Sequence, residues 1–297
     1  MSESKPIFNK ENILYEREEK NGFWSFIPKF HPETGEIIIN PTSRDILNFA
    51  NGKNTIQEIT KHIVKKYNIE NDKKIKQEIY KTIGSFSRLG VIEWTDENPF
   101  LYLREEPVNN EISMIVGQEH HIDKIQEFIS MNYLSSKKSC INYFLPLFNI
   151  KDYDELKLRR KLFTYSEEFF LLLKRNRIIG CISLDISSNN YLETSAVIKI
   201  IMVPEKYISQ LLQYAQDILP YIVVKDITKI KILEQKNSPI GKFLMNLLKK
   251  EKYQKEGLLK NEFGFGLNIN LWARYYNPKL IEKIKSIHNK KLNGNGR

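Results

Sequence analysis

FWSFIPKFHPETGEIIINPTSRDILNFANGKNTIQEITKHIVKKYN, residues 23–68, followed after a polar gap by KIKQEIYKTIGSFSRLGVIEW, residues 74–94, decides how the first third of this chain folds. Two strand candidates, Phe23–Phe30 and Glu36–Asn40, flank His31-Pro32-Glu33-Thr34-Gly35, whose Pro and Gly mark a turn. Three helical patterns follow. Thr42 or Ser43 stands where a cap is needed for the first, and Ile46, Leu47 and Ala50 share a face before Gly52. Thr55 and Glu58 have capping-box spacing for the second, whose apolar stripe is Ile56, Ile59, Ile63 and Val64. Ile75, Ile79, Ile83 and Phe86 recur at helical spacing in the third, which ends at Gly90 ahead of a short strand, Val91–Trp94.

Strands, three helices and a closing strand in that order resemble the PqqD-like family, small winged-helix domains that recognise the leader of a ribosomally made peptide undergoing modification. The resemblance is carried by Asn40-Pro41-Thr42, by Ala50-Asn51-Gly52-Lys53 with Thr55-Ile56, and by Leu89-Gly90-Val91-Ile92-Glu93, within about residues 12 to 95. It implies that a leader adds an antiparallel strand to the small sheet and lies against the third helix, so that backbone hydrogen bonds give affinity and side-chain pockets give specificity. The leader-binding residues would then be Ile37, Ile38 and Ile39 on the strand and Ile79, Ile83 and Phe86 on the helix. The plainer reading makes most of these the core of a small domain. An uncovered Ile37-Ile38-Ile39 edge would invite association, which favours a partner there.

The length of 297 residues suits two domains, each able to bury a core. No apolar run approaches the roughly 18 to 20 residues that span a bilayer, and the N-terminus lacks a charged-then-apolar signal arrangement. Cys140 and Cys181 lie far apart without metal-ligand spacing, which suits buried thiols in a reducing cytoplasm. Residues 1–100 carry 15 Lys and Arg against 15 Asp and Glu, so the whole net charge of +10 lies beyond residue 100. A basic second half suits an anionic partner such as a phosphorylated cofactor, an acidic carrier protein or nucleic acid, and equally a lysine-rich solvated surface.

The polar, proline-bearing stretch over 95–110 reads as a connection. It divides the chain into a first domain over 1–98, a linker over 99–110, a second domain over 111–277 and a basic tail over 278–297. In the second domain the pattern changes. A strand, Glu111–Val116, precedes an amphipathic helix built on Ile122, Ile125 and Ile129, and a helix Asp152–Phe163 follows an aromatic, irregular stretch read as a lid or a packed loop. Glu168–Lys174 and Ile178–Ile186 form a hairpin through Arg175-Asn176-Arg177, and the apolar Glu193–Val203 reads as a central strand. Pro204 opens a helix, Lys229–Gln235 is a strand, Asn237 or Ser238 caps a helix Pro239–Lys250, and Tyr253–Lys260 and Leu267–Tyr276 close the sheet.

This order resembles the GNAT acyltransferase superfamily, over about residues 111 to 277. The stretches that carry it are Ile179-Gly180, Val203-Pro204-Glu205, Asn237, Tyr253-Gln254-Lys255-Glu256-Gly257 and Leu271-Trp272-Ala273. The resemblance implies a mixed sheet flanked by helices, and transfer of an acyl group from an acyl-CoA or acyl-carrier-protein thioester to an amine, with no metal. Ile201, Met202, Val203, Lys206, Tyr207, Ile208, Ser209 and Asn237 would bind the donor, its phosphates resting on helix amides. The family's loop there is Arg-x-x-Gly-x-Gly or Ala. Lys206–Leu212 has no glycine, which points to an unusual donor such as a carrier protein, or to lost activity. A carboxylate base and a tyrosine acid are implied too. Leu248 stands where the tyrosine is expected, so that acid is missing; the catalytic candidates are Tyr253, nearby at the start of the next strand, and Glu193, at its strand's start, which equally reads as a solvated strand-end carboxylate.

Joined, the two resemblances imply a cytoplasmic N-acyltransferase that captures the leader of a ribosomal precursor peptide and acylates a lysine, ornithine or N-terminal amine of its core. Docking the leader would raise the local concentration of the core to roughly millimolar. The alternatives are a non-catalytic peptide-binding scaffold with a degenerate transferase half, and a winged-helix regulator. The neutral first domain weighs against DNA. Whether the protein is a homodimer stays open.

Overall fold

Backbone polar groups must find partners on folding, and residues 1–102 and 103–297 solve this as two separate units. The computed structural model describes residues 4–69, 72–100, 105–134, 140–186, 194–223, 227–235, 240–261, 264 and 266–276. The first unit runs β1 (Pro6–Phe8), β2 (Ile13–Glu18), β3 (Trp24–Pro28), β4 (Ile37–Ile39), α1 (Pro41–Phe49), α2 (Ile56–Tyr67), α3 (Asp72–Arg88) and β5 (Ile92–Trp94). β2, β3 and β4 form an antiparallel sheet in that order, while the closing strand β5 pairs with β1 instead. Neither β1 nor the polar, largely exposed β2 announces itself in the sequence.

The turn after β3 is a 3-10 turn, Pro32–Thr34, closed by Gly35 at φ +74°. Asn40, not Thr42 or Ser43, caps α1. Its side chain accepts from the Ser43 amide at 2.8 Å, and Pro41 occupies the first turn, where its missing N–H costs nothing. α2 has the full capping box. The Thr55 hydroxyl accepts from the Glu58 amide at 3.2 Å, and the Glu58 carboxylate accepts from the Thr55 amide at 2.8 Å. Trp24, Phe26, Leu47, Ile59, Ile63, Ile79, Ile83 and Phe86 are buried together as the core.

The second unit begins inside the expected linker, because β6 (Glu106–Asn109) forms a hairpin with β7 (Ile112–Val116). Then come α4 (Ile122–Leu134), β8 (Ile141–Phe144), α5 (Glu155–Phe163), β9 (Glu167–Lys174), β10 (Arg177–Asp185), β11 (Ser195–Val203), α6 (Ile208–Ile222), β12 (Lys229–Gln235), α7 (Gly241–Lys250), β13 (Gln254–Leu259) and β14 (Ile269–Tyr275). The nine-stranded mixed sheet runs β13-β14-β12-β11-β10-β9-β7-β6, with β8 set against β11. Arg175 and Asn176 link β9 to β10 at φ +47° and +63°, the backbone that a tight two-residue hairpin turn requires.

Alternation along the strands separates the two faces of the sheet. Phe169, Leu171, Leu173, Cys181, Ile200 and Met202 pack against Ile122, Ile125 and Ile129 of α4 and Leu158 and Leu162 of α5. Phe170, on the other side of β9, meets Tyr214 of α6 edge-on at 6.1 Å. α6 and α7 share that face: Lys250 donates to Ser209 at 3.3 Å, and Gln216 donates to the Tyr253 hydroxyl at 3.0 Å. The basic tail lies outside the described residues, as do Asn237 and Ser238; α7 begins at Gly241 after Ile240. Among the described residues no helix is long and apolar enough to cross a membrane.

Candidate functional site

β11 and β12 are the parallel neighbours of the sheet, and they stay paired only from Ser195–Val197 against Lys229–Lys231. Beyond Val197 their carboxyl ends part, and α6 starts just past the end of β11. Ligands of open α/β sheets bind in such crevices, outside the carboxyl ends of parallel strands. At the start of α6, Pro204 and a 3-10 turn, Glu205–Tyr207, lead into the helix, whose N-cap Tyr207 makes no side-chain capping bond. The Lys206 ammonium lies 4.6 Å from the centre of the Tyr207 ring, and Lys250 reaches Ser209 in the first turn. Two cations beside the positive end of a helix dipole make this corner favourable to an anion. Ile208 is buried, so it faces the core rather than a ligand.

Ile201, Met202 and Val203 lie on the strand that flanks the crevice, but none is available to a donor as the chain stands. All three are fully buried. Their backbone meets β10 on one side and β8 on the other, with Ile201 opposite Tyr143, Met202 opposite Asn142 and Val203 opposite Ile141. The stretch read as a loop or lid therefore contains a strand, and that strand fills the crevice. Tyr253 is 4% exposed, its hydroxyl accepts from Gln216, and burial pushes its phenol well above the ordinary range. That hydrogen bond ties α6 to the start of β13. Glu193 and Asn237 lie outside the described residues.

A polar cluster that sequence reasoning missed sits next to the crevice, on the face of α4 and α5. The ladder between β10 and β11 shifts register between Ser183 and Leu184, leaving Lys199 at the extra position of a bulge, a device that re-aims a side chain. Lys199 pairs with Asp185 at 2.7 Å and approaches Glu167 at 3.7 Å. Glu167, 1% exposed, also takes Lys161 at 2.5 Å and accepts from the Tyr153 hydroxyl at 2.8 Å and the Ser183 hydroxyl at 2.6 Å. Burial pulls the Lys199 ammonium down, but Glu167 and Asp185 outweigh it and hold its pKa above the ordinary lysine value. Burial first, then the Glu167 charge, pushes the Tyr153 phenol and the Cys181 thiol up, so both stay protonated. Chemically this is an ammonium-binding site already filled by two lysines. Its sequence signal was the alternation that puts Glu167 on the same strand face as Phe169, one residue before the expected start of the strand.

In the first unit, Ile38 is 60% exposed and Ile37 half-buried on β4, which among the described residues pairs with β3 on one side only. Ile39, Ile79, Ile83 and Phe86 are core residues, which leaves the exposed Ile38 and the half-buried Ile37 as the part of the expected leader-binding set outside the core. Among the described residues no cluster of three His, Cys, Asp or Glu is placed to hold a metal.

No protein-family model matches the chain, and no curated protein matches it. Solved structures similar to part of it include the ribosomal-protein-S5-alanine acetyltransferase from Vibrio fischeri, at 10% identity and TM-score 0.46, over 59% of this chain and 98% of that one. The acetyl transferase from Salmonella typhimurium that modifies the N-terminal serine of a 50S ribosomal subunit protein matches at 14% identity and TM-score 0.43, over 59% of this chain and 100% of that one. The spermidine N-acetyltransferase from Vibrio cholerae matches at 19% identity and TM-score 0.41, over 56% and 95%.

Proposed function

We propose that this chain is an N-acyltransferase of the GNAT type that modifies a ribosomally made precursor peptide. The first unit, a PqqD-like domain in this reading, takes the leader as an added strand beside β4. The second moves an acyl group from an acyl-CoA or acyl-carrier-protein thioester to an amine of the core. The carrying observation is the parting of β11 and β12, with α6 and its flanking Lys206 and Lys250 at the mouth of the crevice. In the reaction the amine nitrogen attacks the thioester carbonyl, the C–N bond forms, the C–S bond breaks, and the thiolate gains the proton that the amine sheds. Open backbone on β4 and the exposed Ile38 side chain support strand addition by a peptide.

A second reading, a peptide-binding scaffold without catalysis, is favoured by one observation: the β11 edge in the crevice is already paired by β8. Thiol release from acyl-CoA, followed with a thiol reagent in the presence and absence of a precursor peptide, separates the two. Peptide-dependent release supports the transferase. Release no greater than the peptide-free background, for short and long acyl chains and for an acyl carrier protein, would leave the scaffold.

A further inference from the structure

A parallel pair that parts leaves inward-facing N–H and C=O groups in need of partners. On β11 that need is met by β8, with Phe144, Tyr143, Asn142 and Ile141 opposite Ile200, Ile201, Met202 and Val203. The Leu145 amide extends the ladder, donating to the Lys199 carbonyl at 2.8 Å. On the β12 side the Tyr143 hydroxyl donates to the Leu233 carbonyl at 2.9 Å, and Tyr143 is only 4% exposed. β8 therefore touches both walls of the crevice. It is short, among the described residues it pairs along one strand only, and it leads into Leu147, which is 73% exposed at φ +66°. On the other face Phe144 rests against Tyr133 and Phe148, at 5.2 and 4.6 Å between ring centres.

We propose that β8 is an autoinhibitory strand, seated in the donor crevice and withdrawn when a thioester donor enters. The inference rests on the acyltransferase reading above. The donor chemistry fits an exchange. The pantetheine arm shared by CoA and acyl carrier proteins is an extended chain bearing amides, so it can take over the β11 hydrogen bonds that β8 gives up. What remains to be displaced is the Tyr143 side chain in the gap and Phe144 in its aromatic stack.

Two variants of the full chain test this. Ile141→Gly with Tyr143→Gly removes the side chains that hold β8 on the α6 face. Ile141→Cys with Val203→Cys, in a Cys140→Ser background, can lock β8 onto β11, because directly opposed positions suit a cross-strand disulfide. The probes are thioether analogues of acetyl-CoA and of a long-chain acyl-CoA, and the same acyl group on a phosphopantetheinylated carrier protein, which tells the two donor sources apart. The glycine variant is expected to bind at least tenfold tighter than the unmodified chain. The locked protein should bind at least tenfold weaker when oxidised than when reduced. Equal affinity in all forms overturns the inhibitory strand and leaves the donor reading standing. No binding by any form, with circular dichroism showing folded protein, overturns the donor reading and this inference with it.

Discussion

Glu167→Gln tests whether the cluster beside the crevice is built as described. The carboxylate takes Lys161 at 2.5 Å and Lys199 at 3.7 Å, and accepts hydroxyl hydrogen bonds from Tyr153 and Ser183 at 2.8 and 2.6 Å. Removing one member of a buried ion pair costs about 3–5 kcal/mol when its partner is left uncompensated. Here the loss is smaller. The Lys161 and Lys199 side chains are 17% and 24% exposed, and Lys199 keeps Asp185 at 2.7 Å. The glutamine oxygen still accepts from Tyr153 and Ser183. We expect a loss of about 2–3 kcal/mol in the second unit, part of it recovered when Lys161→Met is added. With a urea dependence of about 2 kcal/mol per M, the midpoint falls by about 1–1.5 M. Urea titration followed by circular dichroism reads this, with the transition of the first unit as internal reference. A shift of less than about 0.25 M, equivalent to about 0.5 kcal/mol, would refute a buried, paired Glu167.

Acid should weaken the second unit through His121. Burial, then His120 and Lys124, lowers its pKa from 6.5 to about 4, and its Nδ1 accepts from the Gln118 amide at 3.1 Å. The unfolded chain binds the extra proton between those values. Stability is therefore full above pH 6.5 and falls by about 2 kcal/mol towards pH 4, allowing for solvent screening, and His121→Gln should flatten that slope in pH-dependent unfolding. Gly90→Ala should cost the first unit about 1–2 kcal/mol by thermal unfolding, because φ is +70° and a Cβ would lie 2.9 Å from the Phe30 ring. Tyr143→Phe should cost about 1 kcal/mol by the same measurement, since it strands the Leu233 carbonyl; no loss would mean that the bridge across the crevice does not form.

What could be read from the sequence depended on how local the cause was. The α2 capping box, the β9–β10 hairpin and the apolar β11 are set by neighbouring residues, and each was legible. β8 was not. Ile141–Phe144 has no alternation to distinguish it from the aromatic loop around it, and its pairing is dictated by the β11 edge that β12 leaves open. Ile201, Met202 and Val203 were placed on the right strand, but nothing nearby in sequence told that the chain's own segment covers them. The role of Tyr253 depends on Gln216, 37 residues earlier, which no local pattern reports. Glu167 was lost to a one-residue strand boundary, which matters because the register of a strand assigns each side chain its face.

As proposed, the full chain acylates a peptide amine. The most direct test is the intact mass of a precursor peptide after co-expression with this protein. The peptide should gain the mass of one acyl group on a core lysine, ornithine or N-terminal amine, and the gain should disappear when the leader is deleted. A peptide recovered at its unmodified mass, with acyl-CoA and acyl carrier protein both supplied, would contradict the proposal.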